Sequence, residues 1–117
     1  MNRRHNPSQP LTAVEFEILL SLAGGDLHGY AILQEIEHRT GGRLGVLPGT
    51  LYRAVNRLLQ GGWIAERADA SASKDDTRRR IYHLTAEGRR LTAREAERLA
   101  RQLQTARARN VLRKGET

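Results

Sequence analysis

The chain contains no cysteine, which excludes disulfide scaffolds, thiolate zinc sites and cysteine nucleophiles together. It also lacks any approach to the roughly 20 consecutive apolar residues that a transmembrane helix needs, so no membrane partner is expected. Aromatic residues make up only 4% of the 117 positions, and none lies beyond Thr85. The sequence holds no G-x-S-x-G, no P-loop and no H-E-x-x-H. Gly24-Gly25 and Gly41-Gly42 do not form a dinucleotide fingerprint. His5, His28, His38 and His83 are not spaced with carboxylates as metal ligands are. An enzyme is therefore not expected, and neither is a cofactor or a metal. The first ten residues, Met1 to Pro10, are polar and basic, but no apolar segment follows them, so neither a Sec nor a twin-arginine signal is expected. With the missing cysteine, this points to the cytoplasm. No internal repeat is present, and the only compositional bias is the Arg/Ala content of the C-terminal helix.

A length of 117 residues bounds the chain to one domain with, at most, an appended element, and its core is necessarily small. Twenty Lys+Arg against thirteen Asp+Glu give a net charge of +7 and a sequence pI near 11.0. Such a surplus suits a polyanionic partner, nucleic acid before an anionic membrane surface. The charges are also sorted along the chain. Leu11 to His38 contains five acids (Glu15, Glu17, Asp26, Glu35, Glu37) and no Lys or Arg, whereas Arg39 to Ile64 contains four arginines (Arg39, Arg43, Arg53, Arg57) and no acid. A surface charged only for solubility would mix the signs.

The spacing predicts six elements. Thr12-Ala13-Val14-Glu15 fits a capping box, followed by Val14, Ile18, Leu19 and Leu22 at helical spacing; Gly24-Gly25 ends this helix. A second helix runs from His28 or Gly29 to Thr40, with Tyr30, Leu33 and Ile36 as its apolar face and Ile32 alongside, and Gly41-Gly42 as its stop. A third begins at Pro48, well suited to a first helical position, buries Leu51, Val55 and Leu58, and ends at Gly61-Gly62. Trp63 to Glu66 reads as a strand, residues 68–79 as a loop and Arg80 to Leu84 as the returning strand. Thr85 caps a long helix reaching Val111 or Leu112, which at 1.5 Å per residue would span roughly 40 Å. Its Ala96, Leu99, Leu103 and Ala106 follow coiled-coil spacing, a narrow seam that a second copy would cover; folding back on its own domain is the alternative. Trp63 and Phe16 read as core, the alternative being an effector pocket near a dimer axis.

Helix, helix, helix, hairpin, long helix is the outline of a winged helix-turn-helix: a mainly α fold with a small β-hairpin. The expected organisation is a disordered arm over 1–10, the winged domain over 11–84, a dimerisation helix over 85–112 and a disordered tail over 113–117. With Leu51, Val55 and Leu58 on the core, Arg53 and Arg57 share the outer face of the third helix with Asn56 and Gln60. Arg pairs bidentately with guanine or phosphate, and Asn or Gln with adenine. Thr50 offers a hydroxyl and Tyr52 a hydroxyl and a ring. Lys74, Arg78, Arg79 and Arg80 belong to the wing, placed to track a phosphate backbone. The candidate contacts with double-stranded DNA are thus Thr50, Tyr52, Arg53, Asn56, Arg57, Lys74, Arg78, Arg79 and Arg80. A winged helix that docks a protein instead would need an apolar outer face on residues 48–60.

Three segments resemble the PadR family of bacterial transcriptional regulators. His28-Gly29-Tyr30-Ala31-Ile32 is similar to the family's opening of the second helix. Gly49-Thr50-Leu51-Tyr52 with Leu58 and Gly62-Trp63-Ile64 is similar to its recognition-helix signature, and Tyr82-His83-Leu84-Thr85-Ala86-Glu87-Gly88 to its exit from the wing. The resemblance implies a homodimeric winged-helix repressor of the subfamily with a single C-terminal helix, bound to a pseudo-palindromic operator, with Thr50, Tyr52, Arg53 and Asn56 facing it. A small-molecule effector would act by favouring one dimer geometry. Two positions depart from the pattern. Leu59 stands where the family commonly has an acid, and the C-terminal helix lacks the aromatic rings with which some relatives sandwich flat molecules.

Overall fold

The computed structural model describes residues 11–68 and 80–112; the arm over 1–10, the wing residues Lys74, Arg78 and Arg79 and the tail over 113–117 lie outside the described residues. Seven elements follow in order: α1 (Ala13–Ala23), β1 (Leu27–His28), α2 (Gly29–Thr40), α3 (Pro48–Gly61), β2 (Ile64–Ala68), β3 (Arg80–Leu84) and α4 (Ala86–Ala108).

The helix ends are written in local chemistry. Thr12 caps α1 with both halves of the capping box. Its hydroxyl accepts the Glu15 N–H at 3.1 Å, and Glu15 Oε1 accepts the Thr12 N–H at 2.9 Å. α2 and α3 each stop on a glycine in the left-handed region, Gly41 at φ 64° and Gly62 at φ 78°. In both, the next residue reaches back to the last turn: the Gly42 N–H to Glu37 O at 2.9 Å and the Trp63 N–H to Leu58 O at 3.1 Å. These are Schellman closures, which satisfy carbonyls the helix itself leaves open. α4 ends at Ala108, short of the expected Val111 or Leu112, because Asn110 takes a left-handed φ of 62° and the Val111 N–H closes onto Ala106 O at 3.0 Å. Asparagine tolerates that conformation better than any residue but glycine.

The sheet has three antiparallel strands in the order β1-β3-β2. Tyr82 in the central strand stands opposite both Leu27 and Glu66. β1 was not expected, since two residues carry no alternation to detect. β2 starts one residue later than the sequence suggests, because Trp63 turns into the core to close α3 and is only 7% exposed.

The core joins Ile18, Leu19 and Leu22 of α1, Ile32 and Ile36 of α2, Leu51, Ala54, Val55 and Leu58 of α3, Ile64 and Tyr82 of the sheet and Leu91 of α4. One expectation about α2 fails. Tyr30 is 61% exposed, and the buried face is Gly29, Ile32, Leu33 and Ile36. The reason lies across the interface with α3: the Tyr52 ring occupies the space over Gly29, where a Cβ would come within 2.5 Å of the Tyr52 hydroxyl. The helix turns this glycine inward, and Tyr30, one residue on, points to solvent.

A second close approach fixes α4 on the domain. A Cβ on Gly88 would collide with the Trp63 carbonyl, and one on Gly61 with the Trp63 ring. The Thr85 hydroxyl donates to Gly62 O at 2.7 Å and accepts the Gly88 N–H at 3.0 Å, while the Thr85 N–H donates to Trp63 O at 3.1 Å. The end of α3 and the start of α4 are thereby bonded through one threonine.

Candidate nucleic-acid interface

α3 is sharply two-faced. Leu51, Ala54, Val55 and Leu58 are buried, and Gly49, Arg53, Asn56, Arg57 and Gln60 are exposed. Its outer face is polar, without the apolar surface that docking a protein would require. Leu59, half-buried, packs against the core. Arg53 Nη2 reaches the Thr50 hydroxyl at 3.4 Å, a long bond that leaves the guanidinium adaptable. Tyr52 is half-buried, its ring held over Gly29, so its placement is set by packing between α2 and α3.

Arg57 differs from Arg53. Its Nε donates to Glu15 Oε2 at 2.9 Å. Glu15 is only 2% exposed, and its other oxygen serves the Thr12 cap. A buried carboxylate needs such partners, because an unpaired charge would be costly there. The Arg57 side chain nevertheless stays 48% exposed. Arg39 is drawn off in the same way: it bonds Glu17 and Ser21 of α1 and pairs with Glu35 of α2 at 3.4 Å. Half of the arginines in the acid-free segment are therefore matched by acids of the arginine-free segment. The sorting of charge along the chain partly serves the fold, and Arg53 is the residue of α3 that carries an uncommitted cation outward.

In the hairpin, Arg80 is half-buried and lies 3.9 Å from Glu66 across the strands. Arg67, which the sequence reading did not single out, stands exposed on β2 with Asp26 at 3.9 Å; it adds a cation at the edge of the sheet. The only signal for it in the sequence is its place directly after the strand expected over Trp63 to Glu66, at the entry to the wing. Tyr82, buried in the central strand of the sheet, has its hydroxyl pKa raised from 10.0 to about 12, mainly by burial and then by the charge of Glu66.

The proposed seam lies on α4. Gly88, Leu91 and Thr92 are buried against the domain, but Leu99 and Leu103 are 36% and 41% exposed. Ala96 is exposed and Ala106 half-exposed. The flanking charges pair along the helix as Glu87 with Arg90 and Glu95 with Arg98, three residues apart. The hydrogen bond from Arg98 holds the Glu95 carboxyl below its ordinary pKa. Between the start of α1 and α4 opens a cleft of 380 Å³ lined by Leu11, Phe16 and Leu99, with Glu17, Glu95 and Arg98 at its polar side. Phe16 packs half-buried against the core and lines this cleft, whereas Trp63 is buried in the core. No helix among the described residues is long and apolar enough to cross a membrane.

Three helices, a three-stranded sheet and a long C-terminal helix define a winged-helix fold. A sequence-family profile, the transcriptional regulator PadR-like family, matches residues 18–94, and the chain belongs to that family of DNA-binding transcription regulators. Solved structures of similar shape include a transcriptional regulator from Clostridium thermocellum, Cth-833, at 28% identity and a TM-score of 0.68, covering 81% of this chain and 87% of that one. A PadR family regulator from Clostridium difficile R20291 matches at 22% identity and a TM-score of 0.71, covering 86% of this chain and 100% of that one. PcaV of Streptomyces coelicolor, solved in complex with its natural ligand, matches at 27% identity and a TM-score of 0.64, over 86% of this chain and 64% of that one. In sequence, the chain is 42% identical over 84 residues to an uncharacterized 37.1 kDa protein in transposon TN4556 of Streptomyces fradiae. That match covers 72% of this chain, which spans 22% of that protein's length.

Proposed function

We propose that the chain acts as a homodimeric repressor on a pseudo-palindromic operator. α3 would enter the major groove, with Thr50, Arg53 and Asn56 toward the bases, Tyr52 behind them with its ring packed over Gly29, and Arg57 at the flank. The wing, with Lys74, Arg78, Arg79 and Arg80, would follow the backbone. The observation that carries this reading is the outer face of α3: every exposed side chain from Arg53 to Gln60 is a hydrogen-bonding group that base edges or phosphates accept. The seam Ala96, Leu99, Leu103 and Ala106 would pair across the two-fold axis and set the recognition helices about one turn of DNA, ~34–36 Å, apart. Release by a small-molecule effector belongs to the same proposal, and the cleft floored by Leu11, Phe16 and Leu99 is where an apolar molecule fits.

The test is binding to DNA from the gene's own upstream region against a scrambled duplex at two salt concentrations. A steep salt slope with strong preference for the first supports a sequence-reading regulator. Equal, weak binding to both counts against it. Within the site, Arg53→Ala or Asn56→Ala is expected to cost about 1–3 kcal/mol and relax base preference; equal losses on specific and scrambled DNA would remove the direct-readout role.

A further inference from the structure

Among the described residues, five large hydrophobic side chains are exposed: Tyr30, Leu47, Leu99, Leu103 and Val111. Three lie on or just after α4. Of the two on the helix-turn-helix, Leu47 is the more exposed, at 69%, and it stands at the N-cap of α3. Leucine is among the residues least suited to that position. Its backbone adopts the extended cap conformation, but its side chain makes no cap hydrogen bond, where Ser, Thr, Asn or Asp would satisfy a first-turn N–H. The fold therefore gains neither a cap nor core burial from this side chain.

Its neighbours indicate what else it meets. Leu47 opens the same end of α3 that carries Thr50 and, hydrogen-bonded to it, Arg53. The loop and helix around it, from Arg39 to Ile64, contain no acid. An exposed apolar side chain at the start of a helix whose outer face is polar matches the one apolar group in the DNA major groove, the C5-methyl of thymine. We propose that Leu47 reads a thymine methyl and so sets part of the chain's base preference. This rests on the DNA-binding reading of α3 and adds to it a residue outside the polar face.

The experiment uses the full chain and a duplex selected by it from a random library. Each thymine is replaced in turn by deoxyuridine, which removes only the methyl group. The wild type is compared with Leu47→Ser, which supplies a cap, and Leu47→Ala. One thymine per half-site is expected to show about a four-fold weakening on replacement, the equivalent of one buried methyl. Leu47→Ser and Leu47→Ala are expected to lose about the same on the thymine duplex and nothing further on the deoxyuridine duplex. Leu47→Ser is expected to melt higher than the wild type, so its loss of binding is not a loss of folding. The proposal is overturned if no replacement weakens the wild type, if Leu47→Ser binds the thymine duplex as the wild type does, or if the deoxyuridine loss persists in Leu47→Ser. If the wild type selects no sequence at all, the DNA reading fails, and this inference with it; selection that survives Leu47→Ser unchanged sinks the inference alone.

Discussion

α3 and α4 are both amphipathic, yet they dispose of their apolar residues differently. α3 is 14 residues long and closes its stripe on its own domain: Leu51, Ala54, Val55 and Leu58 are each exposed by 1% or less. α4 is 23 residues long and buries only its first turns, through Gly88, Leu91 and Thr92, leaving Leu99 and Leu103 open. The same pattern in the sequence thus marks an internal contact in one helix and an unpartnered surface in the other. What separates them is length against the size of the core: about four turns cover the domain, and the last turns of α4 run past it.

The sharpest way to break the comparison is to make comparable changes in both helices. Leu58→Ala removes a fully buried side chain and is expected to destabilise the chain by about 2–5 kcal/mol in urea denaturation. Leu99→Asp with Leu103→Asp changes two exposed residues, of which Leu99 lines the cleft beside Leu11 and Phe16, and is expected to cost the single chain far less than Leu58→Ala. Sedimentation should instead show monomers, with weaker operator binding. A dimer that survives both aspartates would remove the seam; a large loss of single-chain stability would mean that α4 packs on its own domain after all.

Tyr82 gives a test within the sheet. Its folded pKa lies near 12 against 10.0 for an ordinary tyrosine, so the folded state keeps the proton that the unfolded state releases. The stabilisation is complete below pH 10 and is lost as pH rises toward 12, by about 2–3 kcal/mol at most. Unfolding free energy measured across that range should fall in the wild type and fall less in Tyr82→Phe. Equal slopes in the two proteins would show that another group is responsible.

Much of this is legible in the sequence, and the reason is locality. Thr12 with Glu15, Pro48, Gly62 and the cap that Thr85 gives α4 each act within four residues, so their signals survive in a linear reading. The β3 boundaries at Arg80 and Leu84 and the apolar stripe of α3 were equally plain. What was missed depends on distant partners. Tyr30 was read as buried because periodicity counts side chains, and Gly29, the residue that is buried, has none to count; only the Tyr52 ring, contributed by another helix, explains it. β1 exists because Leu27 and His28 find Tyr82 and Ile81. The arginines at 39 and 57 were read as part of a free basic segment, although acids of α1 and α2 claim them. Among the candidate contact residues, the exposure of Arg53 and Asn56 followed from the helical period, while the tie between Arg57 and buried Glu15 did not.

The smallest expected effect concerns the joint between the two helices. The Thr85 hydroxyl does two things: it accepts the Gly88 N–H, which caps α4, and donates to Gly62 O, which closes α3. Three substitutions separate them. Thr85→Ala removes both bonds and is expected to cost about 1–2 kcal/mol. Thr85→Asp retains an acceptor for the cap and adds a favourable charge at the helix start, but cannot donate to Gly62 O, so it should recover only part of the loss. Thr85→Ser keeps donor and acceptor and should stay within about 0.5 kcal/mol of the wild type. If Asp restores full stability, the bridge to Gly62 contributes nothing, and α3 and α4 are joined by the backbone bond from the residue 85 N–H to Trp63 O and by packing on Trp63. If Asp remains below Ser by denaturant melting, the hydroxyl carries the connection between the closed helix and the open one.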